Sequence, residues 1–173
     1  MSSRIVSKLA GRVGLVATLV ATVFLAGCQV RPLYSESSGV AGKLESVAFS
    51  EATNRVEQEV RNRLIFLASR GAGEPANADY KVEFNAKSSV IGTLLIASSD
   101  TSRAGRATVS VDYTLKSTKD DHVIKAGNRS VTALVDFPAQ EFAKQRAIRD
   151  AEDRASREAA ELVGADIAAA LGR

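Results

Sequence analysis

Apolar and polar residues alternate along three successive stretches of the chain, with the period of two that is typical of strands with one buried face. The stretches cover residues 79–90, 107–115 and 123–137, and a polar turn at residues 119–122 joins the last two. Consecutive strands of this kind predict an antiparallel meander. In the third stretch the apolar phase shifts near Gly127, which predicts a β-bulge there. The core-facing positions of the first two stretches are Tyr80, Val82, Phe84, Ala86, Ser88 and Val90, followed by Ala107, Val109, Val111, Tyr113 and Leu115.

A period of three to four residues replaces the alternation before the first stretch and predicts an amphipathic helix. Asn54 and Glu57 have the spacing of a capping box, so the helix should begin there. Gly71 and Gly73 should end it. The apolar stripe consists of Val56, Val60, Leu64, Leu67 and Ala68, and the side chains expected to face outward are Glu57, Glu59, Arg61 and Arg63.

A second, longer helix is predicted from Pro138 to Leu171, with Pro138 in its first turn and Asp136 or Phe137 near the cap. Gly164 is its expected weak point. Charged residues four positions apart, such as Asp150 and Arg154, predict ion pairs along its outer face. A coiled coil is the alternative, but the apolar positions do not keep a strict heptad. The expected inner positions are Phe142, Ile148, Ala151, Ala155, Ala159, Leu162, Ile167 and Leu171; the other expected pairs are Arg149–Asp153, Asp153–Arg157, Arg154–Glu158 and Arg157–Glu161.

A short apolar run at residues 43–49 predicts a strand ahead of the first helix. Because each strand has only one apolar face, the helices should cover that face and leave the other to water or to a partner. The predicted fold class is therefore α+β: a two-layer sandwich with a mostly antiparallel sheet of about four strands and two helices packed on one face.

The N-terminus has the layout of a secretory signal peptide that ends at the only cysteine. A stretch with Arg4, Lys8 and Arg12 precedes an uncharged apolar run, and Leu25-Ala26-Gly27-Cys28 reads as a lipobox. The lipobox predicts a cleaved signal over residues 1–27 and diacylglyceryl and N-acyl chains on Cys28. Several acyl chains would hold the protein at a membrane durably. An ordinary membrane span is the alternative, although the apolar run barely approaches the ~20 residues a span requires. Residues 28–42 then read as a lipidated tether and residues 43–173 as a single domain.

Cleavage changes the charge balance and with it the expected partners. Removal of residues 1–27 leaves 20 basic and 20 acidic residues, which argues against nucleic acid as a partner. One histidine, His122 in a polar turn, cannot build a triad or a histidine metal cluster. We therefore expect no enzyme, no catalytic residue, no metal and no cofactor other than the lipid on Cys28.

Two features are candidates for binding. Residues 90–97 are strongly apolar and lose the alternation, so Ile91, Leu94, Leu95 and Ile96 either project as a hydrophobic tip or end a buried strand. Beside them, Arg103 and Arg106, with Lys87, either form a cationic patch for phosphate or carboxylate groups or are merely solvated.

Several short motifs, none of them catalytic, follow one another along nearly the whole mature chain. They are residues 28–34 (Cys-Gln-Val-Arg-Pro-Leu-Tyr), residues 55–64 (Arg-Val-Glu-Gln-Glu-Val-Arg-Asn-Arg-Leu), Gly105-Arg106-Ala107 opening the strand with Tyr113-Thr114-Leu115, and Phe142-Ala143, Ala147, Asp150-Ala151, Arg154-Ala155 and 167–171 in the last helix. Each motif is weak alone, but in this order they resemble the LPS-assembly lipoprotein family, LptE.

The resemblance implies a lipoprotein of the Gram-negative outer membrane, anchored on its periplasmic side by acyl chains such as palmitate. Such proteins plug the LptD β-barrel, assist its assembly and bind lipopolysaccharide on its way to the outer leaflet, without covalent chemistry. The position after Cys28 is Gln29 rather than the aspartate that retains many lipoproteins in the inner membrane. This favours the outer membrane. The alternative function is that of a lipoprotein subunit in another envelope lipid-transport or secretion complex, docked on a protein partner.

Overall fold

The computed structural model describes residues 39–96 and 101–172, with the backbone alone at residues 94–96 and 101–102. Three helices and four strands lie within these ranges. In chain order they are α1 (Val40–Glu45), β1 (Val47–Phe49), α2 (Arg55–Ser69), β2 (Tyr80–Ile96), β3 (Thr101–Ser117), β4 (Val123–Asp136) and α3 (Glu141–Leu171).

The strands form one sheet in the order β1-β2-β3-β4. β1 pairs with β2 in parallel, and the other two pairs are antiparallel. The helices pack on one face of this sheet, so the predicted fold class is confirmed. The alternation in β3 was predicted correctly, since its five core-facing residues from Ala107 to Leu115 are all buried.

The first strand is shorter than predicted, because residues 43–45 belong to helix α1 rather than to a strand. Val40 and Leu44 lie one helical turn apart and are both buried, which holds this short helix against the core. Lys43 Nζ also donates to the carbonyl of Leu171, 2.7 Å away, at the end of α3. Residues 40–42, the end of the predicted tether, are therefore helical.

Helix α2 begins where the capping box predicts, but Glu57 does not face outward. The Asn54 side chain accepts a hydrogen bond from the Glu57 amide at 3.0 Å. Glu57 is only 2% exposed, and its carboxylate accepts from the Thr53 amide at 2.8 Å and from the Ala86 amide on β2 at 3.3 Å. This side chain therefore connects the start of the helix to the sheet.

The prediction of a bulge at Gly127 was wrong, because the β3–β4 register breaks at Ile124 instead. Leu115 faces Lys125 and Lys116 faces Val123, which leaves Ile124 as the extra residue. Gly127 pairs with Tyr113 without a break. A Cβ at Gly127 would lie 2.7 Å from the Tyr113 hydroxyl, so the glycine makes room for this ring.

Helix α3 begins at Glu141, three residues later than Pro138, with Gln140 at the cap position. Two of its predicted inner residues were wrong: Phe142 is 90% exposed and Leu162 is 42% exposed. The buried stripe instead advances by four residues at a time, so position 162 falls beside it. Its members are Ala151, Ala155, Ala159, Val163, Ile167 and Leu171.

Gly164 does not interrupt α3. A Cβ there would lie 3.4 Å from Leu67 Cδ1 of α2, so the glycine sits where the two helices approach each other. The coiled-coil alternative fails, since α3 packs on both α2 and the sheet.

The charged residues of α3 connect helices more than they pair along one helix. Of the five predicted intrahelical pairs, Asp150–Arg154 forms, at 3.0 Å. Arg55 of α2 binds Glu152 and Asp153, and Arg63 of α2 binds Glu161 at 2.6 Å. These contacts add to the packing between the two helices.

The core divides along the strands into a main cluster and a small distal cluster. The main cluster lies where α1, α2 and the C-terminal half of α3 cover the sheet, and it contains Leu64, Leu115 and Ile167. Towards the distal end of the molecule, which we define as the end where β2 leads to β3, the buried residues are Ala107, Val135 and Ala151. The strands thus extend towards an end with little buried apolar volume.

Candidate functional site: the distal end of the open sheet face

One face of the sheet is free of helices among the residues that the structure describes. We call it the open face. The register aligns its residues in rows across β2, β3 and β4, and the central rows are hydroxyl-rich: Ser89–Thr108–Thr132 and Lys87–Ser110–Ser130. Thr108 Oγ1 lies 2.9 Å from Thr132 Oγ1. The centre of this surface is therefore polar, with Lys87 as its one charged residue.

The next row towards the distal end has a different composition. Ile91, Arg106 and Leu134 face one another across the three strands, and we call them the distal row. Ile91 is 51% exposed and Leu134 is 76% exposed, with the exposed Arg106 between them. Neighbouring strands are about 4.8 Å apart, so the cation has an apolar side chain on each side.

The three cations predicted as one patch do not share a row. Lys87 lies on the open face four residues from Ile91, which is about 13 Å along a strand. Arg103 lies three residues from Arg106, where the β2–β3 register skips a residue between Leu94–Ala104 and Leu95–Ser102. None of the three forms an ion pair with another described residue. Arg106 is therefore the cation that the fold places beside exposed apolar groups.

The apolar segment at residues 90–97 continues strand β2 as far as Ile96. Val90 is 36% exposed, and with Ile91 it is one of the two large apolar residues of the segment whose side chains are described. The side chains of Leu94, Leu95 and Ile96, and all of residues 97–100, lie outside the described residues. Strand β3 begins at Thr101.

Sequence reasoning missed two exposed apolar residues at this end. Leu134 is the one large apolar residue among the outward positions of β4 between Asn128 and Asp136, and this break in the polar phase was the signal available. Phe142 lies in the first turn of α3, directly after β4, and had been assigned to the wrong side of the helix. Leu134 adds apolar surface within the distal row, whereas Phe142 belongs to α3, which packs on the other face of the sheet.

An ion-paired cluster away from the distal row fastens α3 to the sheet. Arg129 binds the Asp166 carboxylate through two nitrogens at 2.6 and 2.7 Å, and the Tyr113 hydroxyl donates to it at 2.7 Å. Hydrogen bonds from Arg129 lower the pKa of Asp166 against the effect of its burial. Burial and the Asp166 carboxylate raise the pKa of Tyr113. These groups satisfy one another and link α3 to strands β3 and β4.

Two further properties concern all the residues that the structure describes. Within residues 39–96 and 101–172, no group of His, Cys, Asp and Glu side chains is arranged to hold a metal ion. No helix in those ranges combines the length and apolar character that a membrane span needs. Cys28 and the signal peptide at residues 1–27 lie outside the described residues, as does the tether up to residue 38, and they remain predictions.

These features define a structural class: a two-layer α+β domain with helices on one sheet face and an open second face. Solved structures share this fold. A provisionally named lipoprotein of Caulobacter crescentus CB15 superposes with a TM-score of 0.63 at 23% identity, covering 78% of this chain and 96% of its own. The rare lipoprotein B of Shewanella oneidensis superposes with a TM-score of 0.50 at 14% identity, covering 72% and 92%.

The family follows from the sequence of this domain. The family model LptE, described as lipopolysaccharide-assembly, matches residues 43–167, from helix α1 to near the end of α3. The chain belongs to the LptE family. No curated protein matches the chain.

Proposed function

We propose that this chain is an outer-membrane lipoprotein that occupies an LptD-type β-barrel, assists its assembly and binds lipopolysaccharide with the distal end of its open face. Membership of the LptE family supports the assignment. The distal row is the single observation that carries the ligand-binding part, because it sets one exposed cation between two exposed apolar side chains.

Lipopolysaccharide combines phosphate groups with acyl chains in one molecule, and the distal row matches this combination. The Arg106 guanidinium offers a planar set of donors to a phosphate. Ile91 and Leu134 offer apolar contact on either side of it. The polar rows behind it, with Thr108 and Ser110, can hydrogen-bond to sugar hydroxyls. The proposed function requires neither a catalytic residue nor a cofactor.

Membrane attachment in this proposal depends on Cys28. Acyl chains on this residue hold the protein at the periplasmic side of the outer membrane, and each buried methylene contributes about 0.8 kcal/mol. Cys28→Ala should therefore release the protein from sedimented membranes, whereas Ser35→Ala in the tether should not. Membrane association of the Cys28→Ala protein would contradict the anchor.

Direct binding of purified lipopolysaccharide tests the ligand part of the proposal. Arg106→Gln should weaken binding about fivefold, the effect of about 1 kcal/mol for an exposed charged contact. Lys119→Gln is the matched control, because it removes the same charge from an exposed residue in the turn at the opposite end of the strands. Equal affinities of the two variants would refute the role of the distal row.

Affinity purification from gently solubilised outer membranes tests the partner. A large β-barrel should co-purify with the tagged chain. Recovery of other envelope proteins without a barrel would instead favour a subunit of a different lipid-transport or secretion complex.

A further inference from the structure

Strand β2 has a long edge that the sheet leaves unpaired. β2 runs from Tyr80 to Ile96, but β1 pairs with only its first three residues, 80–82. β3 pairs along the other side of β2 for nearly its whole length. Most of the outer edge of β2 therefore has no strand beside it among the described residues.

Ser50 and Glu57 occupy this edge for the next few residues, and their hydrogen bonds show which backbone groups of β2 point outward. The Ser50 amide donates to the Val82 carbonyl at 2.9 Å, and Ser50 Oγ accepts from the Phe84 amide at 3.2 Å. Glu57 Oε1 then accepts from the Ala86 amide at 3.3 Å. Even-numbered residues thus direct their amides and carbonyls to the edge, and the alternation of a strand carries this on to Ser88, Val90 and Gly92.

From Ser88 to Gly92 the edge lacks the usual protection against pairing with another chain. Exposed edges are normally blocked by charged side chains, proline or bulges. This segment, Ser-Ser-Val-Ile-Gly, contains no charge and no proline, and the register is regular up to the shift after Gly92. Ser88 Oγ donates to Glu152 of α3 at 2.8 Å, which holds its side chain without occupying its backbone groups.

The opposite edge of the sheet, on β4, is protected in the expected way. Its register breaks at Ile124, and it carries charged side chains at Lys125, Arg129 and Asp136. The Arg154 guanidinium also donates to the Leu134 carbonyl at 3.1 Å, which occupies an edge-facing acceptor. The β4 edge is thus protected against pairing with another strand, whereas the β2 edge from Ser88 to Gly92 is not. The unprotected stretch is therefore a local property of β2 rather than a general feature of the fold.

We propose that the β2 edge from Ser88 to Gly92 accepts an extended, uncharged segment of the β-barrel partner as an added strand. Only an extended main chain presents donors and acceptors at the ~6.8 Å repeat of alternate strand residues. A neutral segment fits this edge, because residues 88–92 offer no charged side chain to pair with a charged one. A closed barrel wall has no free strand edge, so this segment lies outside the wall. This inference rests on the proposed function for the identity of the partner.

The test uses the full chain co-expressed with its barrel partner and purified as a complex. Val90→Pro removes the edge-facing amide, and proline is tolerated where an edge amide faces solvent. It should lower the affinity for the barrel about tenfold, as expected for the loss of one or two strand hydrogen bonds. Ala126→Pro removes an edge-facing amide on the protected β4 edge, at a residue outside the hydroxyl-rich rows, and should leave the affinity unchanged.

Hydrogen exchange of the wild-type complex provides a second measurement that does not depend on whether a proline variant folds. The Ser88 and Val90 amides should exchange fast in the free protein and slowly in the complex. Complex formation with unaltered exchange at these amides would overturn the proposal, as would slow exchange in the free protein that increases with its concentration, because a second copy would then occupy the edge. Failure of wild type to bind a barrel would refute the proposed function itself.

Discussion

Glu57→Gln tests whether one buried carboxylate joins α2 to the sheet. The carboxylate accepts four hydrogen bonds, two at each oxygen. Oε2 accepts from the amide and hydroxyl of Thr53 at 2.8 and 2.7 Å, and Oε1 accepts from Asn85 Nδ2 at 2.9 Å and from the Ala86 amide at 3.3 Å. Glutamine has nearly the same shape but replaces one acceptor oxygen with a donor.

The size of the effect follows from counting the donors that lose their acceptor. If the new NH₂ group faces Thr53, the hydroxyl can rotate and accept from it, but the Thr53 amide cannot. If it faces β2, the Asn85 side chain can turn its oxygen inward, but the Ala86 amide cannot. One backbone amide is stranded either way, at a cost of about 1–3 kcal/mol. With about 2 kcal/mol lost, the Tm should fall by about 7 °C for roughly 130 ordered residues.

Thermal and urea unfolding followed by far-ultraviolet circular dichroism provide the measurement, since the chain has no tryptophan. Glu59→Gln is the matched control: Glu59 lies on the same helix, and its contact with Arg157 is at 4.0 Å. It should change the unfolding free energy by less than about 0.5 kcal/mol. Equal stability of Glu57→Gln and wild type would refute the reasoning.

The pH dependence of stability provides an independent check on the same residue. Burial alone would raise the pKa of Glu57, but hydrogen bonds from Thr53 and Ala86 outweigh it and bring the pKa below the usual 4.5. A carboxyl whose pKa is lower in the folded protein stabilises the fold above its unfolded pKa. This contribution is lost as the pH falls through the folded pKa. Below pH 4.5 the stability of wild type should therefore fall more steeply than that of Glu57→Gln.

Three further substitutions have expected effects of different sign. Gly127→Ala should displace Tyr113 from Asp166 and destabilise the protein by about 1–3 kcal/mol. Spectroscopic titration should then show the Tyr113 pKa falling towards its ordinary value. An unchanged titration would contradict the steric argument. Gly164→Ala should raise the unfolding free energy by about 0.5–1 kcal/mol, because alanine favours helix and its methyl group has room beside Leu67; a loss of stability in urea unfolding would contradict this. Phe142→Ser should leave the Tm within about 2 °C of wild type because the ring is exposed, and a larger fall would place Phe142 in the core after all.

The strands and the two long helices could be predicted because each depends on a local period. The alternation from Ala107 to Leu115 reports burial directly, since a strand presents successive residues to opposite faces. Glu57 shows where such reasoning ends. A glutamate in the first turn of a helix ordinarily faces water, and only the approach of Ala86, nearly thirty residues later in the chain, makes burial favourable. Helix α1 was missed for the same reason, because a single turn is stabilised by packing rather than by its own sequence.

The candidate site could be predicted only in part. Ile91 and Arg106 were identified from composition, but their alignment with Leu134 depends on the register of both strand pairs, which short-range patterns do not specify. The bulge at Ile124 decides which residues of β4 face outward, and it lies three residues from the glycine that the sequence favoured. A shift of one residue in that register would have turned Leu134 into the core.

The position of the core explains how the distal end can carry exposed apolar groups without loss of the fold. Large side chains such as Leu64 and Ile167 are buried at the opposite end, whereas the distal cluster consists of Val135 and two alanines, Ala107 and Ala151. Small side chains contribute little hydrophobic free energy, so the distal strands are held mainly by their backbone hydrogen bonds. These bonds do not depend on the identity of outward side chains. Substitutions in the distal row should therefore change binding while leaving the unfolding free energy nearly constant.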